Sequence, residues 1–220
     1  MALSYTEENY LKAIYKLAEI EQGSVSTNAI AKMMSTSAAS VTDMIKRLSE
    51  KEYLNYRKYY GSELTSKGKT TATQLVRKHR LWETFLVDKL NFSWEEIHDI
   101  AEELEHIKSD KLIARLDEYL GCPKFDPHGD PIPNTEGKFT LRSQTLLSEM
   151  EVGEEGEVIG VKTHDTPFLQ HLNNIGIRIN TPLQIISKQK YDNSTTVKIY
   201  ENDILISERV ATQLLIKKIS

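Results

Sequence analysis

The sequence predicts an α+β multidomain fold in which a winged helix-turn-helix is followed by an all-helical domain and then by a small β-barrel. Three observations predict it. The first 65 or so residues run in the order helix, helix-turn-helix, hairpin; residues from about 66 to 120 carry three further helical patterns; and from about residue 140 short β-type runs alternate with Gly, Pro, Asn and Asp. A chain of 220 residues, 39% hydrophobic and 27% charged, has the length for two or three modules and the apolar mass to give each a core. The boundaries expected are 1–70, 71–138 and 139–220.

Each element has its own signal. Ser4-Tyr5-Thr6-Glu7 reads as a capping box, and Leu11, Ile14, Tyr15 and Ala18 then repeat at helical spacing, so the first helix is expected from about 6 to 21, ended by Gly23. Ser26 or Thr27 can cap a short second helix with Ile30, Met33 and Met34 inward. Ser35-Thr36-Ser37 interrupts before a third helix whose stripe is Val41, Met44, Ile45 and Leu48. The alternating, aromatic Tyr53 to Tyr60, then Gly61-Ser62 and Glu63-Leu64-Thr65, form a hairpin pattern. A long helix follows from Ser66 to Leu90 with Ala72, Leu75, His79, Trp82 and Leu86 near one face. Ser93-Trp94-Glu95-Glu96 is a second capping box for a helix expected through His106, and Ser109 can cap another that ends near Leu120-Gly121. Pro123, Pro127, Pro131 and Pro133 with Gly129 and Gly137 mark a loop. Strands are expected at 157–161, 183–186, 196–200 and 204–206.

The formal net charge of −4 hides uneven segments. Residues 32–69 hold eight basic and four acidic side chains, a net of +4, whereas residues 91–136 hold four and twelve, a net of −8. Four of the six histidines fall between His79 and His128. The basic segment fits a polyanion contact and the acidic, imidazole-bearing one a cation site. Cys122 is the single cysteine, so any metal must be held by nitrogen and oxygen. No apolar run approaches the roughly 20 residues that span a bilayer, and the polar start Met1 to Asn9 lacks a signal-peptide core, so a cytoplasmic chain with no membrane partner is expected. HExxH, GxSxG and GxxxxGK[ST] are absent, which removes the usual footholds of hydrolases and nucleotide binders; no enzyme is expected.

His98, Glu102, Glu105 and His106 stand at i, i+4, i+7 and i+8, one face of a helix. A solvated charged face would look the same, but Ile97, Ile100, Ala101 and Leu104 flank these residues, so the polar stripe borders the core. His79 and Glu83, also at i, i+4, would double the site if the two helices pack antiparallel. Asp126 and His128 can reach a metal only if the proline-rich loop folds back over the helices, and both are ordinary turn residues otherwise. Asn9, taken alone, is an exposed polar residue of the first helix.

The winged order makes the third helix a reader of DNA, its first side chains at base edges and Lys46 or Arg47 at phosphates. Thr27, Ser37, Ala39, Ser40, Thr42, Asp43, Lys46, Arg47, Arg57 and Lys58 are the candidate contacts, with Tyr56 to Tyr60 as the wing. The plainer alternative is a helical subdomain whose lysines are merely solvated.

Thr6-Glu7-Glu8-Asn9-Tyr10-Leu11, Val76-Arg77-Lys78-His79-Arg80-Leu81, the string His98 to His106 and the run Asp126 to Pro133 together resemble the diphtheria-toxin-repressor family of metal-dependent transcriptional repressors, and the manganese-responsive subgroup in particular. The likeness spans nearly the whole chain, and the tail from about 141 is similar to the family's SH3-like, FeoA-like third domain. It implies a helical metal-binding and dimerisation domain, and a homodimer that binds a palindromic double-stranded operator and represses metal-uptake genes. Mn(II) is the implied cofactor, Fe(II) the second candidate, and other divalent metals can substitute in vitro. Asn9, Glu102, Glu105 and His106 match the family's primary site; His79, Glu83 and His98 match its ancillary site; Asp126, His128 and, from the third domain, Asp165 or Gln170 match ligands that some manganese-type members add. Two departures stand out. Asn9 replaces a methionine of iron-type members or an aspartate of manganese types, and Glu102 replaces an iron-type cysteine, leaving a hard oxygen and nitrogen set that suits Mn(II). The rival readings are a metal-dependent hydrolase, which gives residues 22–69 no use, and a metal-independent winged-helix regulator.

Overall fold

A computed structural model describes residues 3–57 and 60–219. Lys58, a candidate DNA contact, therefore lies outside the described residues. The chain divides into two compact units: Met1–His79 with Glu102–Ile113 and Pro133–Phe139, and Arg80–Ala101 with Ala114–Ile132 and Thr140–Ser220.

In the first unit, α1 (Tyr5–Glu21) begins at a complete capping box: the Ser4 hydroxyl accepts from the Glu7 N–H, and the Glu7 carboxylate accepts from the Ser4 N–H. Its left-handed terminator is Gln22 at φ 52°, one residue before the glycine expected there. Ser26 caps α2 (Thr27–Met33) and Ser37 caps α3 (Ala38–Glu50). The antiparallel wing strands are β1 (Leu54–Arg57) and β2 (Gly61–Leu64), and Val25 adds a backbone bridge to Ser62. Gly61 is required: at φ 96° a side chain there would lie 2.6 Å from the Val25 carbonyl oxygen. Leu11, Ile14, Ile30, Val41, Ile45 and Leu48 are fully buried and form the core, with Met34 and Met44 partly buried against it, whereas Met33, expected inward, is 41% exposed because α2 ends there after a single buried position, Ile30.

The long helix α4 (Ser66–Leu90) runs as expected. The next, α5 (Ile97–Leu104), is shorter than its capping signal implied. Ser93 does bond Glu96, yet residues 94–96 form a turn, and Glu105 and His106 fall in the turn after the helix. There Glu105 is bonded to other elements of the first unit, as described below. Helix α6 is Asp110–Tyr119.

The second unit contains β3 (Thr145–Leu146), β4 (Glu155–Val161), α7 (Thr166–Asn174), β5 (Pro182–Lys188), β6 (Thr195–Ile199), β7 (Asn202–Ile206), α8 (Glu208–Ala211) and β8 (Leu214–Ile219). The strands pair antiparallel in the order β3-β8-β4-β5-β6-β7, with register shifts at Val158/Gly160 and Ile185/Ser187 that bend the sheet around Leu147, Met150, Val158, Leu172, Ile177, Val197 and Ile216. The proline-rich loop is fastened to β4. The Val161 N–H donates to the His128 carbonyl at 3.0 Å, and Arg142 donates to the carbonyls of Gly129 and Ile159 while its guanidinium lies 3.9 Å over the Phe125 ring. A side chain at Gly129 (φ 88°) would collide with the Ile159 carbonyl at 2.1 Å, so only glycine allows this approach.

Candidate metal centre and nucleic-acid surface

In the second unit the folded-back loop brings Asp126 and His128 to Glu83, on the latter half of α4. Glu83, Asp126 and His128 are 1%, 5% and 0% exposed, and each offers a ligand atom within 4.8 Å of the others. His98, at the start of α5, places Nδ1 3.7 Å from Glu83 Oε1, and His128 Nδ1 is 3.8 Å from the same oxygen. These gaps are too long for hydrogen bonds. They match ligands of one ion, because two atoms each about 2.1 Å from a shared cation stand roughly 3–4 Å apart.

The polar atoms are also poised. His128 Nε2 lies 2.7 Å from the Trp94 carbonyl, an acceptor only, so Nε2 donates there and Nδ1 is the nitrogen turned toward Glu83. That Nδ1 and Asp126 Oδ2 are buried without a hydrogen-bond partner among the described residues, while Asp126 Oδ1 accepts from the backbone N–H groups of His128 and Asp130 at 2.9 Å. Burial, then the charges of Glu83 and Asp130, push the Asp126 carboxyl well above the usual carboxylate range; Arg80, whose Nε is 3.5 Å away, pulls it back. Asp126 is thus a buried acid beside another buried acid, a setting in which a bound cation would relieve the cost of burying both charges. The donors are carboxylate and imidazole throughout, and Cys122 is exposed and free. His79 stands one helical turn before Glu83 on α4.

One third-domain side chain that reaches this loop was missed by sequence reasoning. His164 stacks on His128 with 4.2 Å between centroids, its Nε2 3.8 Å from Asp130. Asp165 and Gln170 are exposed, Asp165 at the N-cap of α7. The only advance signal was a histidine adjoining Asp165.

The remaining sequence candidates gather in the first unit with an unforeseen companion. Lys12, 5% exposed, places Nζ 2.7 Å from both oxygens of Glu105 and 2.9 Å from Glu102 Oε1. Glu105, 0% exposed, is also bonded by His79 Nδ1 at 2.7 Å. His106 pairs with Glu8 at 2.6 Å and stacks on Tyr5 at 4.6 Å, and Lys108 approaches Glu8 at 3.7 Å. Asn9 Oδ1 is buried without a hydrogen-bond partner among the described residues. The ligand face at 98–106 is thus split: His98 meets Glu83, whereas Glu102, Glu105 and His106 meet α1.

On α3, Val41, Ile45 and Leu48 are buried while Ser37, Ala39, Ser40, Asp43, Lys46 and Arg47 are exposed. Thr42 is half-buried and donates to the Ala38 carbonyl; Thr27 is half-buried at the start of α2, and Arg57 is exposed at the end of β1. Lys46 keeps its side chain 60% exposed, with Asp43 a distant 3.9 Å away. Such a face leaves cations available to phosphates. Lys51, just past α3, bonds Glu7 of α1 at 2.6 Å.

Three family models match the chain: an iron dependent repressor N-terminal DNA binding domain over residues 2–62, an iron dependent repressor metal binding and dimerisation domain over 65–134, and a FeoA domain over 145–218. The iron-dependent repressor IdeR of Mycobacterium leprae is 37% identical over 129 residues, covering 58% of this chain and 55% of the relative. The chain thus spans about half the length of that relative. The diphtheria toxin repressor of Corynebacterium glutamicum is 30% identical over 199 residues, 84% of this chain and 85% of its own. A manganese-dependent transcriptional repressor solved in complex with manganese superimposes with a TM-score of 0.85 at 33% identity, covering 97% of this chain and 100% of that one.

Proposed function

From a chain that belongs to the diphtheria-toxin-repressor family of iron-dependent repressors, we infer a cytoplasmic, homodimeric repressor that binds a palindromic operator when Mn(II) is loaded. One observation carries the metal reading: the buried cluster of Glu83, Asp126 and His128, with His98 beside it, whose ligand atoms converge at ion spacing without bonding one another. Glu83 and Asp126 would supply charge, His98 and His128 neutral nitrogen. When bound, a divalent cation would replace by attraction the repulsion from Glu83 that helps to raise the Asp126 carboxyl. The hard donor set favours Mn(II) or Fe(II) over sulfur-seeking metals. Mn(II) comes first because the related structure is manganese-dependent and bound to manganese; Fe(II) stands second on the iron-dependent relatives.

The exposed basic face of α3 serves as reader, with Thr27, Ser37, Ala39, Ser40, Thr42 and Asp43 toward bases and Lys46, Arg47 and Arg57 toward phosphates. Residues 65–134 serve dimerisation, consistent with the exposed apolar side chains of Leu90 on α4 and Tyr119 on α6. No helix among the described residues is long and apolar enough to cross a membrane. The decisive experiment measures operator affinity of the chelated protein and then with Mn(II), Fe(II) and Zn(II) returned one at a time. Tightening by Mn(II) is the expected result, and an affinity indifferent to every metal would refute the reading.

A further inference from the structure

We propose that the carboxylate pair beside α1 carries its cation within the chain: the Lys12 ammonium takes the place between Glu102 and Glu105 that a divalent ion would need, so this site holds no metal and metal sensing rests on the cluster around Glu83. The last clause rests on the functional reading above; the occupancy of the α1 site does not.

The geometry is that of a filled site. Lys12 Nζ lies at hydrogen-bond distance from three carboxylate oxygens, which matches the three donors of an ammonium. A metal bound by the same oxygens would have to lie about 2.1 Å from each, within the volume the ammonium occupies. The lysine is not passing through. It is itself 5% exposed, so expelling it means moving a buried side chain. Asn9, three residues earlier on the same face, supplies an amide and no charge, and Glu105 Oε2, one of the oxygens that Lys12 bonds, is also bonded by His79. A divalent ion added here would meet a cation in contact and fewer free carboxylate oxygens than the sequence implies.

The Glu83 cluster differs in its cation, although Asn9 Oδ1 beside α1 is, like Asp126 Oδ2, buried without a hydrogen-bond partner among the described residues. Its nearest cation, Arg80, stands 3.5 Å from Asp126, and Asp126 Oδ2 and His128 Nδ1 are left without hydrogen bonds. One cluster is electrostatically closed and the other open. The closed one works as a permanent clamp: Lys12 to Glu102 and Glu105, with Glu8 to His106, ties α1 to the turn after α5 with no metal present. Loss of metal therefore leaves α1 attached there.

The test counts Mn(II) ions per full-length chain by equilibrium dialysis with metal analysis. Glu102→Gln should bind as many ions as the wild type. Lys12→Glu, which trades the ammonium for a ligand, should bind one more, and adding Glu102→Gln to it should remove that ion again. A wild type that loses an ion on Glu102→Gln overturns the proposal, and this comparison stands even if Lys12→Glu does not fold. A folded Lys12→Glu chain with no gain overturns it as well. A wild type that binds no Mn(II) at all refutes the metal reading of the Glu83 cluster, and in that event the extra ion in Lys12→Glu still reports on Lys12.

Discussion

At Asp126 a proton and a metal ion compete for one buried carboxylate. The folded carboxyl holds its proton to higher pH than it would in the unfolded chain. The folded state thus binds more protons over that window, and the metal-free protein loses stability as pH rises out of the ordinary carboxylate range. Glu7 has the opposite sign. Burial alone would raise its carboxyl, but Lys51 and Ser4 outweigh it and hold it below its usual value, so its stabilisation is lost as pH falls. Asp126→Asn isolates the first effect, since the amide mimics the neutral acid and keeps an oxygen for the His128 and Asp130 N–H groups. We expect its chelated form to melt a few degrees above wild type at neutral pH, about 1 kcal/mol, with the gap narrowing toward pH 5 and the Mn(II)-induced rise in Tm abolished. Calorimetry with and without chelator checks this, and a variant that melts lower at neutral pH would contradict it. Lys12 was illegible beforehand because periodicity shows which face a residue occupies and not whether a charge on that face is buried with partners. Its spacing of three from Asn9 was the one available hint.

Among elements, α3 divides its work between two faces. Ile45 is fully buried in the core shared with Leu11 and Ile14, so Ile45→Ala should cost about 2–5 kcal/mol in denaturant unfolding. Lys46→Ala and Arg47→Ala change exposed positions and should leave stability within about 0.5 kcal/mol. Each should instead weaken binding alike on all DNA sequences and lower the log-log salt slope by about 0.9 for every phosphate that the variant no longer neutralises. An unchanged slope in both would remove α3 as the reader. Elements of this kind were readable in advance because capping and stripes are local: Ser4 caps α1 as expected, and Ser26, one of two candidates, caps α2. The ends of α5 were not. Its start follows Trp94, which is drawn into the core of the second unit, and its end precedes Glu105, which is bonded to Lys12 and His79; both are long-range demands. Strands β3 and β8 were missed for the same reason, since each is defined by its partner across the sheet.

For the whole molecule, order along the chain was legible and the assembly of sites was not. The winged module, the helices and the β sheet follow one another as composition implied, whereas residues adjacent in sequence, such as Ala101 and Glu102, fall in different compact units. Dimerisation gives one test at this scale. Tyr119 is 66% exposed, with Phe85 beside it and Lys89 over its ring, so Tyr119→Glu should weaken self-association at least about tenfold in sedimentation, while a dimer as tight as wild type would move the interface elsewhere. A cation held at Glu83 would set DNA affinity, and titrating Mn(II) against operator binding in the wild type and in Glu83→Gln tests this. Operator affinity should rise about 5- to 150-fold for the wild type and not at all for the variant, which keeps its weak, salt-sensitive binding to any DNA. A Glu83→Gln protein that gains operator affinity at the same Mn(II) concentration as wild type would contradict it.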